Sequence, residues 1–174
     1  MTIDIMQAIK KRVSVRRFKP DPVPRELILQ LLEAAIWAPN AGNIQPWQFY
    51  VVTREDRRRC LATAALRQEF VASAPVCIVV CAEPERSARH YGDRGRHLYC
   101  LQDTAAATQN ILLAATALEL GTCWVGAFNE DQVRACLNLP AHLRPVAIIP
   151  LGYPATETTR RTQRRPLEEV CHFM

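Results

Sequence analysis

Two groups of side chains in this sequence have the chemistry of a ligand site. The first is the basic run 10–18, in which Arg12, Ser14 and Arg16 alternate with other residues. An extended backbone would place these three side chains on one side, where guanidinium groups and a hydroxyl suit an anion such as phosphate. A charged surface exposed to water is the alternative interpretation of such a run. The alternation alone leaves both open.

The second group is the loop 38–47, APNAGNIQPW, which follows an amphipathic helix pattern and precedes an apolar strand pattern. Its asparagine and glutamine amides each carry donors and an acceptor, and its glycine lets the backbone approach a ligand closely. The loop could therefore hydrogen-bond the edges of a planar heterocycle. An ordinary surface connection is the alternative, since most loops carry no site.

The bulk properties favour one soluble globular domain over residues 1–174. The formal charge is +5 and the sequence pI is near 9.0, which suits nucleic acid or an anionic cofactor. The first twelve residues lack the pattern of a secretory signal, and polar residues within 97–120 exclude a membrane span. We expect a cytoplasmic protein. No dinucleotide-binding, P-loop, zinc-protease or serine-hydrolase motif occurs.

The seven cysteines stand at positions 60, 77, 81, 100, 123, 136 and 171. No two are spaced as CxxC, and their number is odd. This pattern predicts reduced thiols in or near the core, with neither a disulfide framework nor a metal site.

The hydrophobic patterns predict the elements that must position these residues. Helices are predicted at 3–11, 24–37, 54–66, 97–120 and 130–137, and strands at 48–53, 75–82, 122–127 and 145–151. The polar stretch 83–96 is predicted to be a mobile loop or lid region. The segment 97–120 is apolar nearly all round, so we expect it to be buried and to pack against a second subunit. Helices on both faces of an α/β or α+β sheet follow from this order.

Five motifs in order along the chain resemble the FMN-dependent nitroreductase family. They are R-x-S-x-R-x-F at 12–18, A-P-x-A-G-N-x-Q-P-W at 38–47, L-Y-x-x-Q-D-x-A-A-A-x-Q-N at 98–110, G-T-C-W-V-G-A-F at 121–128 and R-x-P-L-E-E-V at 164–170. The resemblance covers nearly the whole chain. It implies an α+β fold: a three-layer α/β/α sandwich with a central mixed, mostly antiparallel sheet and a long buried helix. It also implies a homodimer with FMN at the subunit interface, in which residues 155–174 of each chain extend as an arm over the partner subunit.

The resemblance also implies which residues bind FMN. The phosphate, the ribityl chain and the flavin edge would contact Arg12, Val13, Ser14, Arg16 and Arg164, and the other subunit would contribute Pro39, Asn40, Ala41, Asn43 and Gln45. The isoalloxazine ring would lie near Trp124, Val125, Gly126 and Ala127, with Gln68 at its edge. Two positions depart from the family: Val13 stands where many relatives carry a basic or polar residue, and Asn40 replaces a common serine.

The activity implied is reduction of nitroaromatics, quinones or related conjugated acceptors by NAD(P)H, in ping-pong hydride transfer through flavin N5. No side chain is nominated as an obligatory catalytic group, because the cofactor carries the chemistry. Dehalogenation, flavin fragmentation or azoline oxidation on the same scaffold is the alternative. A basic nucleic-acid-binding module using residues 16–17 and 160–165 is a third hypothesis, for which no recognition motif is present. The predicted partners are a second copy and a small-molecule acceptor, without nucleic acid or membrane.

Overall fold

The computed structural model describes residues 4–156 and 162–174. Its sheet has four strands in the order β1-β2-β4-β3, and every paired neighbour is antiparallel. The strands are β1 Trp47–Val52, β2 Val76–Ala82, β3 Gly121–Thr122 and β4 Arg144–Gly152. A parallel bridge joins Ser14 to Thr122 at the β3 edge. This contact makes the sheet mixed but mostly antiparallel, as predicted.

Seven α-helices surround the sheet in the described residues: α1 Ile5–Lys11, α2 Arg25–Ile36, α3 Glu55–Ala64, α4 Glu69–Ser73, α5 Pro84–Arg94, α6 Cys100–Ala117 and α7 Glu130–Leu137. A π-helical turn, Gly95–Tyr99, leads into α6, and short 3₁₀ turns occupy Ala41–Asn43 and Leu167–Glu169. None of these helices is long and apolar enough to cross a membrane.

Strand β2 shows why the molecule has three layers. All seven of its residues are buried, and successive side chains of a strand point to opposite faces. Val76, Ile78 and Val80 belong to the cluster formed with α2 and α6. Cys77, Val79 and Cys81 belong to the cluster formed with α3, α4 and α7. Two helical layers therefore cover the sheet, and the predicted α/β/α sandwich is confirmed.

The long helix α6 is the buried helix that the sequence predicts, although a single chain covers only part of it. Eight of its residues are buried, while Ala105, Leu113 and Ala114 remain half-buried. A groove of about 290 Å³ runs between α1, α2 and α6, and its lining is apolar except for one amide: Ile5, Ala8, Ala34, Asn110, Leu113, Ala114 and Ala117. Contact of this face with a second subunit stays a prediction.

The prediction of a mobile loop at 83–96 is wrong, because most of this stretch is helix α5. Pro84 occupies the first turn, where its missing N–H costs nothing. Arg96 pairs with Glu85 at 2.7 Å and with Asp93 at 3.1 Å. These contacts tie the helix to the turn that follows it. The positive φ of Gly92 (53°) kinks the segment before it enters α6.

The strand predicted at 122–127 is much shorter than expected. The amide of Cys123 donates to the carbonyl of Pro150 at 3.4 Å, but Pro150 has no N–H with which to return a bond. Beyond Cys123, the next residue that pairs with β4 is Val125, which exchanges two backbone hydrogen bonds with Ile148. Trp124 and Gly126 are consequently exposed at the sheet edge.

The prediction that all cysteines are reduced is wrong for one pair. Cys60 on α3 and Cys136 on α7 form a disulfide, with their Cα atoms 5.8 Å apart. The sequence does not reveal the pair because 76 residues separate the two positions, and only the packing of α3 on α7 brings them together. Cys77, Cys81, Cys100, Cys123 and Cys171 are free.

Candidate functional site

Residues from both ends of the chain meet in one cavity of about 430 Å³, called here the arginine cavity. Its lining consists of Ile9, Arg12, Ser14, Gln109, Leu112, Trp124 and Arg164. The polar groups are two guanidiniums, a hydroxyl, an amide and an indole N–H, and no carboxylate is among them. Such a set suits an anionic group attached to an apolar or aromatic body. Trp124 is 40% exposed and offers its ring to a ligand.

The basic run reaches this cavity because it lies in an extended conformation beside β3. The amide of Val15 donates to the carbonyl of Thr122 at 2.8 Å. This close approach requires glycine at position 121, since a Cβ there would lie 2.8 Å from Cγ1 of Val15. Of the three residues predicted to lie on one side, Arg12 and Ser14 line the arginine cavity, whereas Arg16 does not.

Val13 lines a different cavity, of about 410 Å³. Val15, Lys11 and Lys19 also line this second cavity. Side chains of an extended segment alternate between two sides, so the side chain of Val13 is not part of the arginine cavity. Its predicted contact with the cofactor therefore depends on its backbone and stays a prediction.

Arg16 lies close to the arginine cavity without lining it. Its guanidinium stacks over the ring of Phe70, 5.7 Å from the centroid, in a cation–π contact. Burial raises the pKa of the Cys123 thiol, and Arg16, Ser14 and Arg12 oppose that rise. These three side chains therefore converge on the residue next to Trp124.

The segment 124–127 lies beside Gln68. The amide of Gln68 donates to the carbonyls of Ala65 at 2.9 Å and Ala127 at 3.2 Å. Its oxygen accepts no hydrogen bond from the described residues. Val125 is buried in the core, and its backbone N–H and C=O are both paired with Ile148, so its predicted contact with the cofactor stays a prediction. Gly126 is exposed, and a Cβ there would meet nothing closer than 3.9 Å.

The amide-rich loop is a compact turn built largely by its own side chains. Asn40 accepts a hydrogen bond from the amide of Gln45 at 2.8 Å and donates to the carbonyl of Ala38 at 3.3 Å. Asn43 accepts from the side chain of Gln45 at 3.1 Å. Gly42, Asn43 and Gln45 all have positive φ values between 53° and 56°. The turn presents Pro39, Asn43 and Gln45 to solvent, with Ala41 half-buried behind them.

Three residues outside the loop hold it in place, and sequence reasoning did not assign any of them to the site. Asp103 on α6 accepts from the amide of Ala41 at 3.1 Å, and Arg86 donates to the carbonyl of Ile44 at 2.7 Å. The hydroxyl of Tyr91 lies against Gly42. For Asp103, the one signal in the sequence that could have assigned it to the site is a carboxylate within an otherwise apolar helix.

Asp103 is 5% exposed, and its second carboxylate oxygen has no hydrogen-bond partner in the part of the chain that the structure describes. Burial raises the pKa of Asp103, and the hydrogen bond from Ala41 partly opposes the rise. An acid in this position is costly to ionise. The loop is therefore anchored at a site whose charge state responds to pH.

The arginine cavity and the amide-rich loop meet different parts of α6 in the same chain. The loop rests on Asp103 near the start of the helix, whereas the cavity uses Gln109 and Leu112. At ~1.5 Å per residue, Asp103 lies about 9 Å from Gln109 and about 13.5 Å from Leu112 along the helix axis. Among the described residues, neither cavity lined by the basic run includes a loop residue.

Comparison with known proteins gives the same family along almost the whole chain. A sequence model of the Nitroreductase family matches residues 9–68 and 60–153. The NADH dehydrogenase of Thermus thermophilus is 33% identical over 97% of this chain and 95% of its own length.

Solved structures of proteins with nitroreductase or FMN oxidoreductase names share this fold. A nitroreductase family protein from Clostridium novyi NT has a TM-score of 0.80 at 35% identity, covering 87% of this chain and 86% of that one. The NADPH:FMN oxidoreductase of Vibrio harveyi, solved with NAD⁺, has a TM-score of 0.88 at 27% identity, covering 97% and 76%.

Proposed function

Because this chain belongs to the nitroreductase family, we propose that it reduces nitroaromatics, quinones or related conjugated acceptors with electrons from NAD(P)H in ping-pong order. Family membership makes it an NAD(P)H oxidoreductase that depends on FMN. The observation that carries the proposal is the arginine cavity, where Arg12, Ser14, Trp124 and Arg164 meet. These residues are far apart in sequence, and their types match the two chemically different ends of FMN.

The groups present in the arginine cavity fit FMN. Arg12, Arg164 and Ser14 would hold the phosphate and ribityl chain through charge-assisted hydrogen bonds, with Arg16 nearby on Phe70. Trp124 offers an aromatic surface to the ring system, and the backbone of 126–127 with Gln68 supplies polar groups beside it. When bound, FMN supplies the hydride chemistry, and the protein supplies position and electrostatics.

A second copy of the chain would complete the site. The amide-rich loop, with Pro39, Asn40, Ala41, Asn43 and Gln45, is anchored away from the arginine cavity of its own chain. Exposed apolar side chains on the α1 and α2 surfaces support pairing: Ile5, Met6, Ile9, Ile36 and Trp37, the last 80% exposed. Patches of this kind mark protein interfaces. We infer a homodimer in which the loop of each chain reaches the cavity of the other.

The C-terminal segment fits the role of an arm over the partner. In the part of 155–174 that is described, Leu167, Val170 and Phe173 are exposed, and the side-chain hydrogen bonds of Arg164 and Arg165 stay within the segment. Residues 157–161, with Arg160 and Arg161, lie outside the described residues. Burial of these apolar side chains against a second copy would stabilise the dimer.

Removing either cavity arginine tests the proposal. We expect Arg12→Ala and Arg164→Ala each to weaken FMN binding about 10- to 100-fold, because a charge-assisted hydrogen bond contributes roughly 1.5–3 kcal/mol. The measurement is fluorescence titration of the apoprotein with FMN, followed by NAD(P)H oxidation with a quinone acceptor.

Arg25→Ala is the matched control, since Arg25 is an exposed arginine at the start of α2, away from the cavity. This variant loses the same charge and should bind FMN normally. Equal FMN affinity in all three variants and the unchanged protein would remove the arginines from the site.

The fate of the flavin distinguishes the proposed reduction from other chemistry on the same scaffold. We expect steady NAD(P)H oxidation with a nitroaromatic or quinone, while the amount of FMN recovered by heat stays constant. Loss of FMN during turnover would indicate flavin fragmentation. Release of halide from a halogenated substrate, without reduction of quinones, would indicate dehalogenation.

A further inference from the structure

The disulfide between α3 and α7 joins an exposed cysteine to a buried one. Cys60 is exposed, and Cys136 is 4% exposed. We propose that Cys60 and Cys136 form a reversible redox modification site at which a low-molecular-weight disulfide, such as glutathione disulfide, locks α3 to α7. The site is separate from the flavin chemistry, since neither cysteine lines the arginine cavity.

Other contacts hold the two helices together without the covalent bond. The guanidinium of Arg57 on α3 donates to the carbonyl of Cys136. The amide of Asn129, which caps α7, donates to the carbonyl of Ala64 at 2.9 Å. Leu61 and Val133 pack in the same core cluster. The Cα separation of 5.8 Å lies within the usual range for a disulfide, so bond formation requires little backbone movement.

The surroundings of the remaining cysteines make oxidation selective. The thiolate is the reactive form of cysteine, and burial raises the pKa of Cys77 and of Cys81 to about 12. Burial also raises the pKa of Cys100 and Cys123. Small reagents therefore reach the exposed Cys60 before these four buried thiols, and the buried Cys136 reacts only with the sulfur of Cys60 beside it. Cys171, which is half-buried near the C-terminus, is the natural comparison.

The reaction is two successive thiol–disulfide exchanges. The Cys60 thiolate attacks one sulfur of glutathione disulfide, forming a mixed disulfide and releasing one glutathione thiolate. The Cys136 thiolate then attacks the sulfur of Cys60, closing the protein disulfide and releasing the second glutathione. The two cysteines lose two electrons and two protons, and two glutathione thiols gain them. Reduced glutathione reverses both steps.

Closing the bond would affect the segment that borders the arginine cavity. Gln68 donates a hydrogen bond of 3.2 Å to the carbonyl of Ala127. Helix α3 ends four residues before Gln68, and α7 begins three residues after Ala127. A covalent link between the helices restricts how far these two ends can separate. We expect FMN to dissociate more slowly from the oxidised protein, an effect that rests on the proposed function.

Bond formation is tested on the full-length protein in glutathione buffers of stepped redox ratio. After alkylation and proteolysis, mass spectrometry should find a Cys60–Cys136 cross-linked peptide that increases with glutathione disulfide. The oxidised protein should melt about 5–15 °C higher, because a link between positions 76 residues apart restricts the unfolded chain.

Cys60→Ser should remove both the cross-link and the redox dependence of melting, whereas Cys171→Ser should change neither. A Cys60–glutathione adduct that never converts to the protein disulfide would overturn the proposal. So would a cross-link that includes Cys171.

Coupling to the flavin site has its own readout. The rate of FMN release, followed by fluorescence, should fall on oxidation of the wild-type protein and stay constant in Cys60→Ser. Equal release rates with the cross-link present would reject the coupling while leaving the modification site in place. Absence of FMN binding in both states would instead contradict the proposed function.

Discussion

The contact between Gly42 and Tyr91 determines the shape of the amide-rich loop. Gly42 has a φ of 56°, and a Cβ there would lie 2.6 Å from the Tyr91 hydroxyl. Gly42→Ala should therefore displace the loop and weaken FMN binding. The double variant Gly42→Ala/Tyr91→Phe should recover most of the affinity, since the next ring atom is 3.4 Å from the added Cβ.

The double variant should still unfold in urea about 1–2 kcal/mol more easily than the wild type, which is the cost of a left-handed backbone for alanine. The measurement is FMN titration of the single variant, the double variant and Tyr91→Phe alone. Absence of any recovery on removing the hydroxyl would mean that Tyr91 does not shape the loop.

Asp103 gives the stability of the protein a specific pH dependence. Burial raises the pKa of Asp103 above its ordinary value near 4, so the folded chain holds this proton more tightly than the unfolded chain. The free energy of unfolding should thus lose a contribution as pH rises from about 4 through the folded-state pKa of Asp103. Asp103→Asn keeps an acceptor for the Ala41 amide and should abolish that loss.

The measurement is urea unfolding at stepped pH values, and the effect is the difference in the free energy of unfolding between the wild type and Asp103→Asn. Asp103→Ala, which leaves the Ala41 amide without its partner, should lose about 1–3 kcal/mol of stability. A constant difference between wild type and Asp103→Asn across the pH range would show that Asp103 does not titrate as inferred.

At the residue scale, sequence reasoning predicts side chains that alternate locally and misses contacts made across the fold. The alternation of Arg12 and Ser14 is enough to place both on one side of an extended segment. Asp103 contacts Ala41 from 62 positions away, and the Cys60–Cys136 pair spans 76. Nothing in local spacing encodes either contact, because packing of separate helices creates it.

At the scale of elements, the site depends on how closely the basic run lies against β3. Gly121→Ala would place a Cβ within 2.8–2.9 Å of three side-chain atoms of Val15. Overpacking of this kind costs about 1–3 kcal/mol, and it should also move Arg12 and Ser14 and weaken FMN binding.

Gly126→Ala is the matched control for this prediction, since its nearest neighbour would lie 3.9 Å away. Urea unfolding and FMN titration of both variants compare a crowded glycine with an open one in the same segment. Equal behaviour of the two would indicate that the basic run can move away from β3 without cost.

Most helices and strands were predictable from the sequence, and the predictions that failed did so for physical reasons. The buried strand β2 and the helices α2, α6 and α7 follow from hydrophobic period, which depends on burial alone. Helix α5 was missed because its polar sequence lacks an apolar stripe, and it is stabilised by charged pairs such as Arg96 with Glu85. The strand at 122–127 was overestimated because Pro150 on the neighbouring strand interrupts the hydrogen bonding.

At the scale of the molecule, one chain holds both halves of the proposed site but does not bring them together. The arginine cavity and the amide-rich loop contact α6 at positions about 9–14 Å apart along the helix axis. Apolar side chains remain exposed on α1, on α2 and in the described C-terminal residues. Pairing of two chains would cover these surfaces and bring each loop to the cavity of its partner.

Sedimentation velocity, recorded at both protein and visible flavin wavelengths, is the most direct test of this account. We predict one boundary at the mass of a dimer, with flavin sedimenting at one FMN per chain, and loss of the coloured boundary in Arg12→Ala at low FMN. A colourless monomer that does not bind added FMN would contradict the proposed site, and FMN bound to a monomer would contradict its completion by a second chain.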